Sequence, residues 1–256
     1  TTEIYTLSLH DALPIWDLNG CDFSRCRLLS WDQIKSAGSI SQISYPPSFD
    51  ISSANFVGRD ISKSDFSRVR GLCWSHIEDA EDASGIIYPP DFAAEEIRAE
   101  GKNFSGNDFR HVKNLQWRHI KDARYLAGLT YPESFDPDQA DFTGIDLRFS
   151  DFSLVKGLTW EHLKNAGKDL QGVVYPQGFD FSDANLAGRE MAGSDFSGAK
   201  GLVWEQMVAQ DGWKKVLGVK KSLRGIKFPA GFDYQSARFN GYDLSHCDFS
   251  AIDDDT

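Results

Sequence analysis

A pattern 43 residues long repeats along nearly the whole chain. Its clearest markers are tryptophans spaced 43, 43, 43 and 44 residues apart, at Trp31, Trp74, Trp117, Trp160 and Trp204. Tyr-Pro pairs keep the same period and begin at Tyr45, Tyr88, Tyr131 and Tyr175. Asp-Phe pairs also keep it and begin at Asp22, Asp65, Asp108, Asp151, Asp195 and, after a ten-residue insertion, Asp248. A fixed period of this size is typical of a solenoid, so the pattern predicts a repeat scaffold and no single catalytic centre.

The segment from Thr1 to Ile15 departs from the pattern. It reads TTEIYTLSLHDALPI and resembles the translation of a common sequencing-library adapter. Glu3, His10 and Asp11 interrupt any apolar signal core. We therefore expect residues 1–15 to be a non-native, adapter-derived segment, with a diverged cap or a short signal sequence as the alternative. Residues 16–256 are then one solenoid of about five to six units, expected to be a fragment truncated at both ends.

Composition narrows the function classes. The formal charge is −11, or −9 without Glu3 and Asp11, which disfavours general nucleic-acid binding. No apolar run is long enough to span a bilayer. The four cysteines show neither zinc-site nor disulfide spacing, which indicates a reducing compartment. The expected location is the bacterial cytoplasm, or the host cytosol for a secreted effector.

The first half of each unit has an apolar residue at every fifth position, as at Phe142, Leu147 and Phe152. A period of five fits neither a helix, at 3.6, nor a strand, at 2. It suits a chain that turns a corner every five residues and places one large side chain inside per side.

These residues resemble the pentapeptide-repeat family, whose motif is Ala-[Asp/Asn]-[Leu/Phe]-x-x. The matches are Ala54-Asn55-Phe56, Ala140-Asp141-Phe142 and Ala184-Asn185-Leu186. The resemblance implies a square, right-handed β-helix with the aromatic or Leu side chain and the small residue both inside. The chain departs from the family motif in two ways. First, the run stops after three pentapeptides. Second, large residues replace the small inward residue of the middle pentapeptide, where a distorted face is expected. Those residues are Arg59, Ile145, Arg189 and Tyr242.

The second half of each unit predicts a short helix followed by a strand. Trp160, Leu163 and Ala166 are three residues apart, and Thr159 suits the N-cap. Val173–Tyr175 then form a strand that ends at a proline. The predicted fold class is mainly β with short helices: a right-handed β-helix-like solenoid of pentapeptide coils, interrupted by one short helix per 43-residue unit.

Stacking distances favour two coils per unit. Coils of a β-helix rise by about 4.8 Å, whereas neighbouring helices need about 8–10 Å. One helix per coil would therefore clash unless the solenoid curved, which is the alternative arrangement. Two units deviate: one contains the ten-residue insertion, and in the other residues 93–100 suggest a helix in place of the first pentapeptide, with Ala99 where Phe56 and Phe142 stand in their own units. The spacing from Phe92 to Phe135 is still 43, so we expect the backbone path to be kept.

Two columns of polar residues invite a chemical interpretation. His76, His119 and His162 share one repeat position with Gln33 and Gln206, which are poor metal ligands. We interpret this column as bonding helix starts, because metal ligands converge on one site. The Asp residues of the Asp-Phe pairs are interpreted as turn caps, not as paired catalytic carboxylates. The sequence therefore predicts no catalytic residue, no metal site and no cofactor.

The insertion is the best candidate for a binding element. From Trp213 to Lys227 it carries six positive charges and no acid, and repeat proteins often place binding function in such insertions. The alternatives are a solvated basic helix face or self-association with the acidic body. The candidate partner-binding residues are Trp213, Lys214, Lys215, Lys220, Lys221, Arg224 and Lys227.

We therefore predict a non-catalytic scaffold that mediates protein–protein interaction, with no nucleic-acid or membrane partner. One alternative is the recognition arm of a longer bacterial effector enzyme, such as a HECT-like ubiquitin ligase. Another is a DNA-mimicking, topoisomerase-protecting protein, which some acidic pentapeptide proteins resemble. That role uses a smooth acidic rod, and the helix predicted in every unit argues against it.

Overall fold

The computed structural model describes residues 17–167, 169–186, 189–208 and 221–252. The predicted adapter-derived segment, residues 1–15, lies outside the described residues. So does most of the basic insertion, including Trp213, Lys214, Lys215 and Lys220.

Parallel backbone bridges join each coil of the chain to the next. One long column of bridged residues runs through Asp22, Ser44, Asp65, Ile87, Asp108, Thr130, Asp151, Val174, Asp195, Lys227 and Asp248. Successive members are 21 to 23 residues apart, except across the insertion, where the step from Asp195 to Lys227 is 32 residues. Two such steps make one 43-residue unit, so the prediction of two coils per unit is confirmed.

The two coils of a unit differ in their local structure. One, which we call the helix coil, contains a one-turn α-helix that begins at the repeated Trp. These helices are α1 (Trp31–Ile34), α2 (Trp74–Ile77), α3 (Trp117–Ile120), α4 (Trp160–Leu163) and α5 (Trp204–Val208). The other, the pentapeptide coil, opens with a 3-10 turn in three units, at Ile51–Ser53, Ala94–Glu96 and Pro137–Gln139. Two short parallel strands, β1 (Lys221–Ser222) and β2 (Tyr242–Asp243), pair late in the chain.

The expectation of a helix over residues 93–100 is wrong. Only Ala94–Glu96 are helical, and their 3-10 turn occupies the same register as the turns in two other units. The bridge between Ile87 and Asp108 fixes the coil on both sides, whereas a straight helix of eight residues would extend about 12 Å. Coil geometry therefore overrides the helix propensity of these residues.

Large and small residues exchange places inside this deviant unit. Ala99 is buried at the position that Phe56 and Phe142 hold elsewhere. Phe104, which stands where other units have Ile or Leu, makes the edge-on contact with Trp74 instead, at a ring-centroid distance of 5.8 Å. The core volume is thus kept although the pentapeptide motif is lost.

Aromatic side chains fill the interior in a repeated arrangement. The Tyr of each Tyr-Pro pair stacks on the Phe of the next coil, with centroid distances of 4.5 Å for Tyr45–Phe66 and 4.6 Å for Tyr131–Phe152. These distances match the rise of one coil, about 4.8 Å. The repeated Trp residues are also buried, and four of them meet a Phe edge-on, as Trp117 meets Phe142 at 5.2 Å, whereas Trp160 meets Phe181 at a tilt of 46°.

Cations of the middle pentapeptide bond the preceding helix coil: Arg59 and Arg189, and Lys102 at the same repeat position. The Arg59 guanidinium donates to the carbonyls of Lys35 and Ala37, at 2.8 and 2.6 Å. Lys102 donates to the carbonyl of Glu78, and Arg189 donates to that of Gly167 at 3.0 Å. All of these carbonyls lie at or just beyond the C-terminus of the preceding helix, where cations are favourable. At these three positions the cation that replaces a small inward residue bonds the neighbouring coil, whereas Ile145 holds the position in another unit and the Tyr242 ring meets Trp204 edge-on at 5.2 Å.

Candidate interaction surface

The His/Gln column bonds the start of each helix. In α2, α3 and α4, the Nδ1 atoms of His76, His119 and His162 accept the backbone N–H of the residue three positions earlier, at 3.1, 3.2 and 3.0 Å. In α1, Gln33 Oε1 does the same at 2.8 Å, and Gln206 Oε1 accepts an N–H at 3.0 Å before α5. The side chains are capping residues that sit one unit apart, as the sequence predicted.

The Asp column closes turns. The Oδ1 atom of each Asp accepts the backbone N–H two residues later, at 2.8 to 3.0 Å, in Asp22, Asp65, Asp108, Asp151, Asp195 and Asp248. These are Asx turns, in which the carboxylate satisfies the local backbone. Within the described ranges, no group of three or more His, Cys, Asp and Glu side chains is placed to hold a metal ion.

The structure separates the cations predicted to bind a partner. Arg224 is exposed, and Lys221 begins β1. Lys227 instead belongs to the long bridged column, between Asp195 and Asp248, and its Nζ lies 2.7 Å from Asp195 Oδ2. This ion pair raises the pKa of Lys227. The sequence held the signal, because Lys227 precedes Phe228 just as Val174 precedes Tyr175.

A second feature, not found from the sequence, is an edge of left-handed backbone. Among the residues with a positive φ, one column has a member in every described coil, and its members follow each other at steps of 21 to 23, or of 32 across the insertion. They are Gly20, Gln42, Lys63, Gly85, Gly106, Gly128, Phe149, Gly172, Gly193, Gly225 and His246. We call this column the left-handed edge. Most of its members are glycine, the residue that adopts this conformation without steric cost.

Phe149 is the outlier on the left-handed edge. Its φ is +62°, and its side chain is 61% exposed. Glycines flank it in both neighbouring coils, and a Cβ built on Gly172 would lie 2.3 Å from the Phe149 ring. The ring therefore lies directly on the Gly172 backbone, in space that only a glycine leaves open.

Other exposed groups lie on the coil of Phe149 and on the coil before it. The backbone of its neighbour Arg148 accepts the N–H of Gly128 at 2.6 Å, and the Arg148 side chain pairs with Asp146 at 2.7 Å. Tyr125 lies three residues before Gly128, is 49% exposed and carries the Arg124 guanidinium 5.1 Å from its ring centroid. Two exposed aromatic rings and two arginines thus lie on two neighbouring coils, with Phe149 on the left-handed edge and Tyr125 three residues before that edge. We call these four residues the aromatic patch: Arg124, Tyr125, Arg148 and Phe149.

Sequence reasoning missed Phe149 although a weak signal existed. In the preceding pentapeptide coils, the residue three positions after the equivalent acidic or amide residue is Lys63 or Gly106, whereas Phe149 follows Asp146. An apolar ring at this position breaks the pattern. The ring is recognised as unusual only once the position is known to be a left-handed corner, and the five-residue period does not specify the backbone conformation.

Comparison with known proteins gives little further guidance. No protein-family model and no curated protein matches the chain. A solved structure that it resembles is HetL, a pentapeptide repeat protein involved in heterocyst differentiation regulation from the cyanobacterium Nostoc sp. strain PCC 7120. The identity is 14%, the match covers 94% of this chain and 84% of HetL, and the TM-score is 0.20. A TM-score this low carries no argument, so the repeat solenoid rests on the coil geometry described above.

None of the helices in the described residues is long and apolar enough to cross a membrane.

Proposed function

We propose that the chain is a non-catalytic repeat scaffold that binds other proteins through its outer surface, with the aromatic patch as one contact. The observation that carries the proposal is Phe149, which combines a left-handed backbone with an exposed ring. A bulky residue in this conformation costs roughly 1–2 kcal/mol. A ring left 61% exposed recovers little of that cost by burial within the chain.

The chemistry of the patch supports a protein partner. Aromatic residues and arginines are enriched among the residues that contribute most to protein–protein binding. Phe149 and Tyr125 offer exposed rings, and the Arg124 guanidinium lies over the Tyr125 ring. Arg148 is held by its ion pair with Asp146 and lies next to Phe149 in the chain. The polar columns of the described coils, in contrast, bond their own backbone, which leaves them no catalytic role in this proposal.

The basic insertion is proposed as a second contact, for an acidic partner. The element comprises Trp213, Lys214, Lys215, Lys220, Lys221 and Arg224, and Lys227 is left out because it pairs with Asp195.

The recognition-arm alternative would use the same contacts within a longer protein. A DNA mimic is disfavoured because the Asp residues of the long column alternate with Ser, Ile, Thr, Val and Lys, and their Oδ1 atoms face backbone N–H groups.

The test places the photo-crosslinking residue benzoylphenylalanine at Phe149 and, as a matched control, at Val57. Val57 is an apolar residue with 62% exposure, and it is not on the left-handed edge. We expect position 149 to label one defined protein in extract of the source cells, and position 57 to label none above background. Equal labelling from both positions, or no labelling from position 149, would contradict the proposal.

Phe149→Gly provides the second arm of this test. Glycine removes the backbone strain, so the free energy of unfolding should rise by about 1 kcal/mol in a urea titration. The same variant should lose the labelled partner in a pull-down with the purified protein. A variant that is destabilised would show that the ring serves the fold of the chain.

A further inference from the structure

A column of cations runs along the corner that ends each pentapeptide coil. Its members are five residues after the Asp of the first five Asp-Phe pairs, at Arg27, Arg70, Lys113, Lys156 and Lys200. Since those Asp residues occupy one bridged column and alternate with the helix coils, the cations lie two coils apart, about 10 Å. Arg25 and Arg68 add a second cation two residues before Arg27 and Arg70. The chain therefore carries a basic corner although its formal charge is −11.

The two ends of this corner differ in their ion pairs. Lys156 Nζ lies 2.6 Å from Glu133 Oε1, and Lys200 Nζ lies 3.2 Å from Asp180 Oδ2. At the other end, the cations are exposed and have no ion pair with any described residue within 4.0 Å. We call these unpaired residues the basic edge: Arg25, Arg27, Arg68, Arg70 and Lys113.

The sequence explains why the basic edge lacks counter-ions. The repeat position of Glu133 is held by Pro47 and Pro90 in the two earlier units. Asp180, the partner of Lys200, stands twenty residues before it, whereas the residue twenty before Lys113 is Ala93. The residue twenty before Arg70 is Asp50, which accepts the backbone N–H and the hydroxyl of Ser52. One nearby acid, Asp91, accepts the backbone N–H of Gly71 at 3.1 Å. The carboxylates that neutralise the later units are thus absent or engaged in the earlier ones.

Cations of the basic edge that lie two coils apart influence the same carboxylate. The pKa of Asp22 is lowered mainly by hydrogen bonds from Ser24, and the charges of Arg25 and Arg68 lower it further. Arg25 belongs to the same coil as Asp22, whereas Arg68 lies two coils away. An acidic group placed along this corner would therefore meet more than one cation at once.

The shape of the basic edge favours an extended peptide. Three residues of extended chain span about 10 Å, which matches the distance between cation pairs. Leu28, next to Arg27, is 87% exposed and offers an apolar contact that a protein segment can use. A long nucleic acid would run past the five unpaired cations onto corner residues that are already neutralised by Glu133 and Asp180.

We propose that the basic edge binds an extended acidic segment of a partner protein, with carboxylates about three residues apart, parallel to the solenoid axis. The local field there is opposite in sign to that of the whole chain, which would orient such a segment on the edge. This surface does not include the aromatic patch, so the two proposals can fail independently.

The experiment measures fluorescence anisotropy of a labelled twelve-residue peptide with Glu at every third position and Gly or Ser between. We compare the whole chain with Arg68→Gln/Arg70→Gln and with the matched control Lys156→Gln/Lys200→Gln, which removes the same charge from the paired end. We expect the first variant to weaken binding about tenfold and the control less than about twofold, because the control lysines already have partners. Raised salt should weaken binding by the wild type most.

Several outcomes would overturn the proposal. Equal loss in both variants would show an effect of net charge alone, and absence of peptide binding by the wild type would show that the edge is only solvated. Tighter binding of a single-stranded oligonucleotide with the same number of charges would assign the edge to nucleic acid. Thermal melts verify that both variants fold, and Phe149→Gly should leave peptide binding unchanged.

Discussion

The aromatic interior of this solenoid repeats every 43 residues more regularly than its outer corners do. Inside, the Tyr or Phe stack and the edge-on Trp recur in nearly every unit, and even the deviant unit restores its core through Phe104. On the corners, a bulky Phe149 replaces the prevalent glycine, and Lys113 lacks the counter-ion that Lys156 has. The comparison suggests that repeated positions specify the fold, whereas departures from the repeat mark the surfaces with a separate role.

The largest expected effect comes from breaking the interior. Trp117→Ala should reduce the free energy of unfolding by roughly 3–5 kcal/mol, because it opens a cavity beside Phe142 and between coils. Since units are stabilised by their neighbours, the loss should spread to adjacent units in hydrogen exchange. A urea titration measures the change. Tyr125→Ala, on the exposed patch, is the control and should cost under about 1 kcal/mol.

A difference between two interior units allows a finer test. Asn107 Nδ2 donates to the buried Tyr88 hydroxyl at 3.2 Å, and its Oδ1 accepts the N–H of Ile86 at 2.9 Å. In the next unit the equivalent pair is Tyr131 and Ser150, and neither hydroxyl has a hydrogen-bond partner among the described residues. Serine is shorter than asparagine, so it does not reach the ring hydroxyl.

Asn107→Ser should therefore cost about 1–2 kcal/mol, because it leaves the Tyr88 hydroxyl buried without a partner. Ser150→Asn should stabilise the chain by about 1 kcal/mol, since the stacking of Tyr131 on Phe152 reproduces that of Tyr88 on Phe109. Chemical denaturation of both variants measures the two changes. Destabilisation by Ser150→Asn would show that the two units do not offer the same space.

The smallest effect concerns the pH dependence of a helix cap. Burial lowers the pKa of His119, and the charge of Arg118 lowers it further. The unfolded chain, with a His pKa of about 6.5, therefore takes up a proton more readily than the folded chain. The stability from this residue is complete above that value and is lost as the pH falls below it.

His119→Gln should remove this dependence and keep the cap, because Gln33 makes the same bond in α1. We expect equal stability of the variant and the wild type at pH 8, and a smaller loss for the variant between pH 7 and pH 5. Urea titrations at three pH values measure this. An identical loss in both proteins would assign the pH dependence to other groups.

Register alone predicts much of this fold. The spacing of the Trp residues and the rise of a coil together give two coils per unit, and the shared position of Gln33 and His76 predicts their capping role. Local propensity fails at residues 93–100, because the bridges on both sides set the path of the backbone. The hand of the coil remains a prediction of the family resemblance.

The missed features all depend on contacts between neighbouring coils. The pentapeptide motif expects a small inward residue where Arg59 stands. Only the position of the preceding helix shows that the Arg59 side chain bonds the carbonyls at the end of that helix. Phe149 is an ordinary exposed aromatic until its positive φ and the glycines beside it are known. Sequence periodicity shows which residues share a position in successive units. It does not show which side chains contact each other across neighbouring coils, about 4.8 Å apart, and the roles of Arg59 and Phe149 depend on those contacts.

The 32-residue step between Asp195 and Lys227 shows that one coil can be longer than the others. Lys227 bridges Asp195 on one side and Asp248 on the other, so the column continues in register after ten additional residues. A coil of this solenoid can therefore be ten residues longer and still keep the register of both neighbours. The same coil is suited to the display of a foreign peptide, because additional length between its bridged residues leaves the register of the column unchanged.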